Sequence, residues 1–170
     1  MTGRRLAVAA AGGVVVVVAA VLAFRPAGER TPAAGTAPAI DTVDLAGRRV
    51  RLADHLGRPV LVNFWASWCI PCRKEFALLK TVAGGRADVL GVVFQDSPGA
   101  AAAFLKDQGA TWPGLKDPGG RIARAYGVAL KPGIPVTVAV DARGNVAARH
   151  VGELRQADLD RLLAAAGAAP

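Results

Sequence analysis

Val60-Leu61-Val62-Asn63-Phe64-Trp65-Ala66-Ser67-Trp68-Cys69-Ile70-Pro71-Cys72-Arg73-Lys74-Glu75 decides how the rest of the chain is read. Val60 to Ala66 is almost continuously apolar and β-prone, the pattern of a central strand covered on both faces. Pro71 suits the first turn of a helix, where a missing N–H costs nothing. Phe76, Leu78, Leu79 and Val82 give that helix an apolar face, and Gly84-Gly85 are expected to end it. Between strand and helix lie Cys69 and Cys72, the only cysteines in 170 residues.

A disulfide across so short a loop restrains the unfolded chain little. The chain-entropy relation gives about 2 kcal/mol for four residues. Redox exchange is the better reason for the pair. The new helix offers unpaired N–H groups and a positive dipole end, both favouring a thiolate at Cys69, and the thiolate is the nucleophile of disulfide exchange. Arg73 and Lys74 are expected to add to that field. Cys72, one helical turn on, is placed to resolve a mixed disulfide. Two cysteines exclude a disulfide-rich scaffold and a four-cysteine zinc site. The two histidines, His55 and His150, lack zinc-finger spacing, so no metal site is expected.

Toward the N-terminus, Val43, Leu45, Val50 and Leu52 alternate about Ala46-Gly47, which predicts a hairpin within Ile40–Leu52. Arg25 to Ala39 holds Pro26, Pro32 and Pro38 and no large apolar side chain, and reads as a flexible linker reaching about 20 Å. Leu6 to Phe24 carries no charge and follows Arg4 and Arg5. As a helix it would be about 28 Å long, close to a bilayer's hydrocarbon core. The arginines would stay cytoplasmic and place the rest outside. The length favours an uncleaved anchor; Val21-Leu22-Ala23 resembles the cleavage site of a removed signal peptide. The expected organisation is 1–24 anchor or signal peptide, 25–39 linker and 40–170 folded domain.

Toward the C-terminus, Asp88 to Gln95 reads as a second buried strand. Ser97-Pro98 opens a helix through Gln108, with Phe104 and Leu105 inward and Gly109 closing it. Thr111 to Leu115 is a loop or short strand, and Gly119 to Tyr126 a short helix with Ile122 and Tyr126 inward. Val136 to Val140 and Asn145 to Val151 form a hairpin about Asp141–Gly144. Leu159, Leu162, Leu163 and Ala166 mark a closing helix. Together these elements imply an α/β fold: a mixed central sheet flanked by helices. From Ile40 onward, 17 Lys and Arg stand against 12 Asp and Glu, a net +5. The charge is scattered, with only Arg48, Arg49 and Arg51 grouped, and no basic stripe is interleaved with aromatics. Nucleic acid is not an expected partner.

Asn63 to Cys72 resembles the active-site segment of thioredoxin-like proteins, and more narrowly the exported, membrane-anchored thiol–disulfide oxidoreductases of the TlpA/ResA type. Gly133-Ile134-Pro135-Val136-Thr137 and Asp141-Ala142-Arg143-Gly144 follow in that family's order. The resemblance covers Ile40 to Gly167, including the N-terminal β-hairpin extension and the inserted helix between the second and third core strands. It implies a Cys69/Cys72 dithiol–disulfide couple that needs no cofactor. It also implies an oxidised protein substrate, with apocytochrome c a candidate, and a membrane electron donor. By the same resemblance Pro135 is a cis-proline packing beside the cysteines, and the backbone of Ile134 pairs with the substrate chain. Glu75 matches an acidic residue near the cysteines; read from the residues alone, it is equally a first-turn carboxylate favoured by the helix dipole. Trp65 and Trp68 are expected to pack around the disulfide, with Trp68 also a candidate for substrate contact, and Trp112 to pack a loop. Asn63 stands where thioredoxin has a proton-moving aspartate. A peroxiredoxin-type peroxidase needs Thr or Ser three residues before its cysteine, where this chain has Ala66. A copper-binding or copper-delivery protein is the other alternative, since two thiolates hold cuprous copper.

Overall fold

The computed structural model describes residues 35–131 and 133–169. The expected anchor, 1–24, lies outside the described residues. Among those described, no helix is long and apolar enough to cross a membrane.

Five strands form one mixed sheet: β3 (Val60–Trp65), β4 (Asp88–Val93), β5 (Gly114–Leu115), β6 (Val136–Val140) and β7 (Val146–Val151), in the order β5-β4-β3-β6-β7. β4 runs parallel to β3 and β5, while β6 runs antiparallel to β3 and β7. A separate hairpin joins β1 (Asp41–Val43) to β2 (Arg49–Arg51). The helices are α1 (Ile70–Lys80), α2 (Pro98–Gln108), α3 (Arg121–Ala125) and α4 (Gln156–Ala165).

β3 sits in the middle of the sheet and is buried along its whole length. Its alternation sorts side chains between two cores. Val60, Val62 and Phe64 face one, with Val136, Val138 and Val140 of β6 and with Ile122, Tyr126, Ile40 and Leu52. Leu61 and Trp65 face the other, with Cys69, Cys72, Phe76, Leu79, Phe104, Leu159, Leu162 and Leu163. Phe76 is the hub of that second core: its ring lies about 5 Å from those of Trp65, Phe104 and Trp112.

α1 ends at Lys80, before Gly84-Gly85. The Thr81 hydroxyl caps the Leu78 carbonyl at 2.7 Å, and Ala87 N–H closes a tight loop on the Val82 carbonyl. Leu78 and Leu105 are half-buried and pack against the core from its edge. The domain's contacts begin before Ile40. Ala37 N–H donates to the Gly144 carbonyl, Val146 N–H to that of Gly35, and the Tyr126 hydroxyl to that of Pro38. Ala37 is buried although small, so residues 35–39 pack on the domain.

Gly91 of β4 must be glycine for reasons of space. A Cβ there would lie 2.7 Å from Trp65 Nε1 and 3.1 Å from Trp112 Nε1. Gly91→Ala is expected to destabilise the domain by about 1–3 kcal/mol through overpacking. The urea midpoint should fall while the slope of the transition stays the same.

Candidate active site

The cysteines sit at the carboxyl end of β3, where the chain turns into α1. They form a disulfide, with Cα atoms 5.3 Å apart. Cys69 is the N-cap of α1, and its Sγ accepts the N–H of Cys72 at 3.2 Å. This is the donor that a thiolate at Cys69 would keep after reduction. Cys72 is fully buried, whereas Cys69 retains 4% exposure.

The turn before Cys69 is held from two sides. Asp96 accepts Ser67 N–H at 2.6 Å, and the Gln95 carbonyl accepts the Trp68 indole N–H at 3.1 Å. Arg73 donates twice to the Ser67 carbonyl and lies 4.9 Å over the Phe104 ring. Lys74 pairs with Glu153 at 3.4 Å. Arg73 therefore fastens the turn, and Lys74 is held toward Glu153. Asp96→Ala removes the acceptor of two N–H groups, Ser67 and Ser97. It is expected to cost about 1–3 kcal/mol in chemical unfolding.

Trp68 departs from the packing expectation. It is 56% exposed, with its indole N–H tied down and the ring open to solvent. Trp65 is buried as expected, and Trp112 packs on Phe76.

Glu75 is buried completely, which overturns the reading of it as an exposed first-turn carboxylate. Its partners come from three parts of the chain. Alternation places Asn63 of β3 and Thr137 of β6 on the α1 side of the sheet, directly paired across the two strands. Asn63 Nδ2 donates to Glu75 Oε1 at 2.8 Å and to Thr137 Oγ1 at 2.9 Å. Leu154 N–H, in the β7–α4 loop, donates to Glu75 Oε2 at 3.0 Å. Burial pushes the Glu75 carboxyl up to about 7; the bonds from Leu154 and Asn63 oppose this, and the charge of Glu153 adds to it. Asn63 Oδ1 is buried with no partner among the described residues. Turning the amide over would aim this oxygen at a protonated Glu75, so the pair has an arrangement for each charge state.

Ile134–Pro135 is a cis peptide. β6 begins at Val136, opposite Phe64, which puts Pro135 at the cysteine end of β3. Pro135 is buried, and Ile134 packs against both cores. Among the described residues, neither the N–H nor the C=O of Ile134 has a backbone partner. The Pro135 carbonyl accepts Gly152 N–H at 2.9 Å, tying this corner to the loop that holds Glu75. The histidines do not join the site as ligands. His55 bonds Asp88 at the far end of β4, and His150 bonds the Glu153 carbonyl.

Of the residues singled out in the sequence, the structure forms the Cys69–Cys72 disulfide, buries Glu75 and makes the Ile134–Pro135 bond cis. Sequence reasoning did not find Thr137, Leu154, Gln95 or Asp96, whose roles depend on contacts across the fold; the left-handed backbone of Gln95 (φ 46°) has no sequence signature.

Residues 33–149 match the AhpC/TSA family. The chain is 40% identical over 126 residues to the thiol:disulfide interchange protein DsbE homolog of Paracoccus denitrificans, covering 72% of this chain and 68% of that one. It is 28% identical over 131 residues to the thiol-disulfide oxidoreductase ResA of Bacillus cereus, covering 75% and 74%. A crystal structure of a thiol:disulfide interchange protein DsbE from Chlorobium tepidum matches with a TM-score of 0.69 at 33% identity, covering 78% of this chain and 96% of that one. The chain belongs to the AhpC/TSA family, among its thioredoxin-like thiol–disulfide oxidoreductases.

Proposed function

We propose that this protein reduces disulfides of protein substrates on the outer side of the cytoplasmic membrane, held there by residues 6–24 and recharged by a membrane electron donor. An apocytochrome c on its maturation route fits as substrate. The observation that carries the reading is the disulfide at the start of α1, with Cys69 Sγ accepting a helix N–H and buried Glu75 one turn beyond Cys72.

In the reduced protein, the Cys69 thiolate attacks one sulfur of the substrate disulfide and displaces the other as a thiolate, which takes up a proton. Cys72 then gives up its proton and attacks Cys69 Sγ. The second substrate thiol leaves, and the Cys69–Cys72 bond re-forms. Two electrons pass to the substrate. Glu75 lies on the same helix face as Cys72 and, with its carboxyl near 7, is suited to receive the Cys72 proton. The unpaired backbone of Ile134 and the open ring of Trp68 supply edges for the substrate chain.

Equilibration against thiol–disulfide buffers tests the direction. A potential at or below about −270 mV fits a reductant, and one near −120 mV would make the protein an oxidant instead. The peroxidase alternative lacks its hydroxyl, since alanine stands at position 66, buried, with its carbonyl accepting Cys69 N–H. Peroxide consumption no faster than that of a free thiol is the expected result.

A further inference from the structure

Buried Glu75 is joined to a histidine near the surface through a single peptide group. The Leu154 N–H that donates to Glu75 Oε2 at 3.0 Å belongs to the Glu153–Leu154 peptide, and the carbonyl of that same peptide bonds His150 Nε2 at 3.2 Å. The peptide is trans, so its C=O and N–H point to opposite sides of one rigid plane. A ring held to the carbonyl on one side keeps the N–H on the other aimed at the carboxyl. Hydrogen bonds linked in this way also polarise one another.

His150 lies on β7, paired in register with Thr137 of β6, whose Oγ1 accepts the Asn63 amide that also serves Glu75. Its side chain is only 12% exposed. A carbonyl can only accept, so Nε2 carries a proton. Two groups of α4 attend the other nitrogen: Asp158 Oδ1 and the Arg161 guanidinium, each 3.4 Å from Nδ1. The protonated ring donates to Asp158, and the neutral ring accepts from Arg161. The grip on the Glu153 carbonyl is thus kept in both charge states. The loop after β7 is fastened residue by residue: Gly152 N–H to the Pro135 carbonyl, the Glu153 carbonyl to His150, and Leu154 N–H to Glu75. Among the described residues, the charged groups around these bonds are Glu153, paired with Lys74 of α1, and Asp158, paired with Arg161.

We propose that His150 is a positioning residue for the exchange reaction: its grip on the Glu153 carbonyl aims the Leu154 N–H at Glu75 and sets how readily that carboxyl gives up its proton. A donated N–H stabilises the carboxylate, so loosening it leaves the carboxyl holding its proton to higher pH. The role in exchange rests on the reading of Glu75 as the receiver of the Cys72 proton; the effect on the carboxyl itself does not.

The chain has three glutamates, Glu29, Glu75 and Glu153. Glutamate labelled with 13C at the side-chain carboxyl therefore gives three signals from the full-length protein, and Glu75→Gln identifies the one sought. The oxidised protein is used, so that neither cysteine titrates. The Glu75 signal is expected to titrate at about 7 in the wild type. In His150→Leu, which lacks the ring donor, the midpoint should lie about one pH unit higher. His150→Gln places a neutral donor at the reach of Nε2 and should return the midpoint to the wild-type value. His150→Asn, whose amide stops short of the Glu153 carbonyl, should match His150→Leu, and it takes the place of that variant if leucine unfolds the domain. An unmoved midpoint in the Leu and Asn variants overturns the role of His150. So does a Gln variant that matches Leu, because the effect would then be one of charge. In the reduced protein, the pH limb of the exchange rate should move with the carboxyl. A limb that stays while the signal moves overturns Glu75 as the proton receiver, and with it the part of His150 in exchange.

Discussion

Replacing Cys69 with alanine is expected to abolish disulfide exchange, while Cys72→Ser is expected to leave the protein covalently joined to its substrate. The two sulfurs are unequal in access. Cys72, in the first turn of α1, is sealed against the core, and Cys69 is the one a substrate can approach. They are also unequal in electrostatics, because Cys69 Sγ receives the helix N–H. Loss of the attacking group should cost on the order of 10³-fold or more in rate. With serine at position 72, the first exchange proceeds and the second cannot. The mixed disulfide then accumulates and is read as a mass increment that dithiothreitol removes. Full activity in Cys69→Ala would mean that the attack does not pass through this sulfur.

Stability is expected to fall as pH rises from about 4.5 through 7, because of Glu75. Its carboxyl titrates near 4.5 when exposed and near 7 in the fold, chiefly through burial. Across that interval the folded chain holds a proton that the unfolded chain has lost. The contribution is complete below the unfolded value and is lost as pH passes the folded one. The difference amounts to on the order of 3 kcal/mol. Urea unfolding of wild type and Glu75→Gln at pH 4.5 and pH 8 measures it: the wild type should lose this much relative to the variant. The exchange rate should show a limb near pH 7 that Glu75→Gln flattens, if the carboxyl handles the Cys72 proton. A parallel pH dependence in the two proteins would restrict Glu75 to a structural role.

Much of the scaffold was legible because its signals are local. β3 declares itself by an unbroken apolar run, α1 by Pro71 and its apolar spacing, and α2 by Ser97, whose hydroxyl caps Ala100 N–H at 3.1 Å. The cysteines announce their chemistry by a short loop at the start of a helix. The surroundings of Glu75 were not legible, since Thr137 is 74 residues from Asn63 and Leu154 is 79 from Glu75. A carboxylate in the second turn of a helix looks the same in sequence whether it faces solvent or the sheet. Trp68 misled for the opposite reason: a large aromatic beside two buried cysteines suggests packing, yet a single bond to the Gln95 carbonyl holds it outward. Residues 35–39 looked like linker because their side chains are small, but their attachment is made by backbone hydrogen bonds.

That attachment has a practical consequence. Gly35 and Ala37 bond to the β6–β7 turn, which lies beside Val60 at the start of β3. Cys69 follows Trp65, at the other end of the strand. Five strand steps, about 17 Å, separate the two poles of the sheet. A fused domain or affinity tag introduced ahead of Gly35 would therefore join the domain at the pole away from the disulfide. Trimming into Gly35–Pro38 would instead strip partners from Val146, Gly144 and Tyr126. Gly35 is thus the inner limit for any such redesign of the chain.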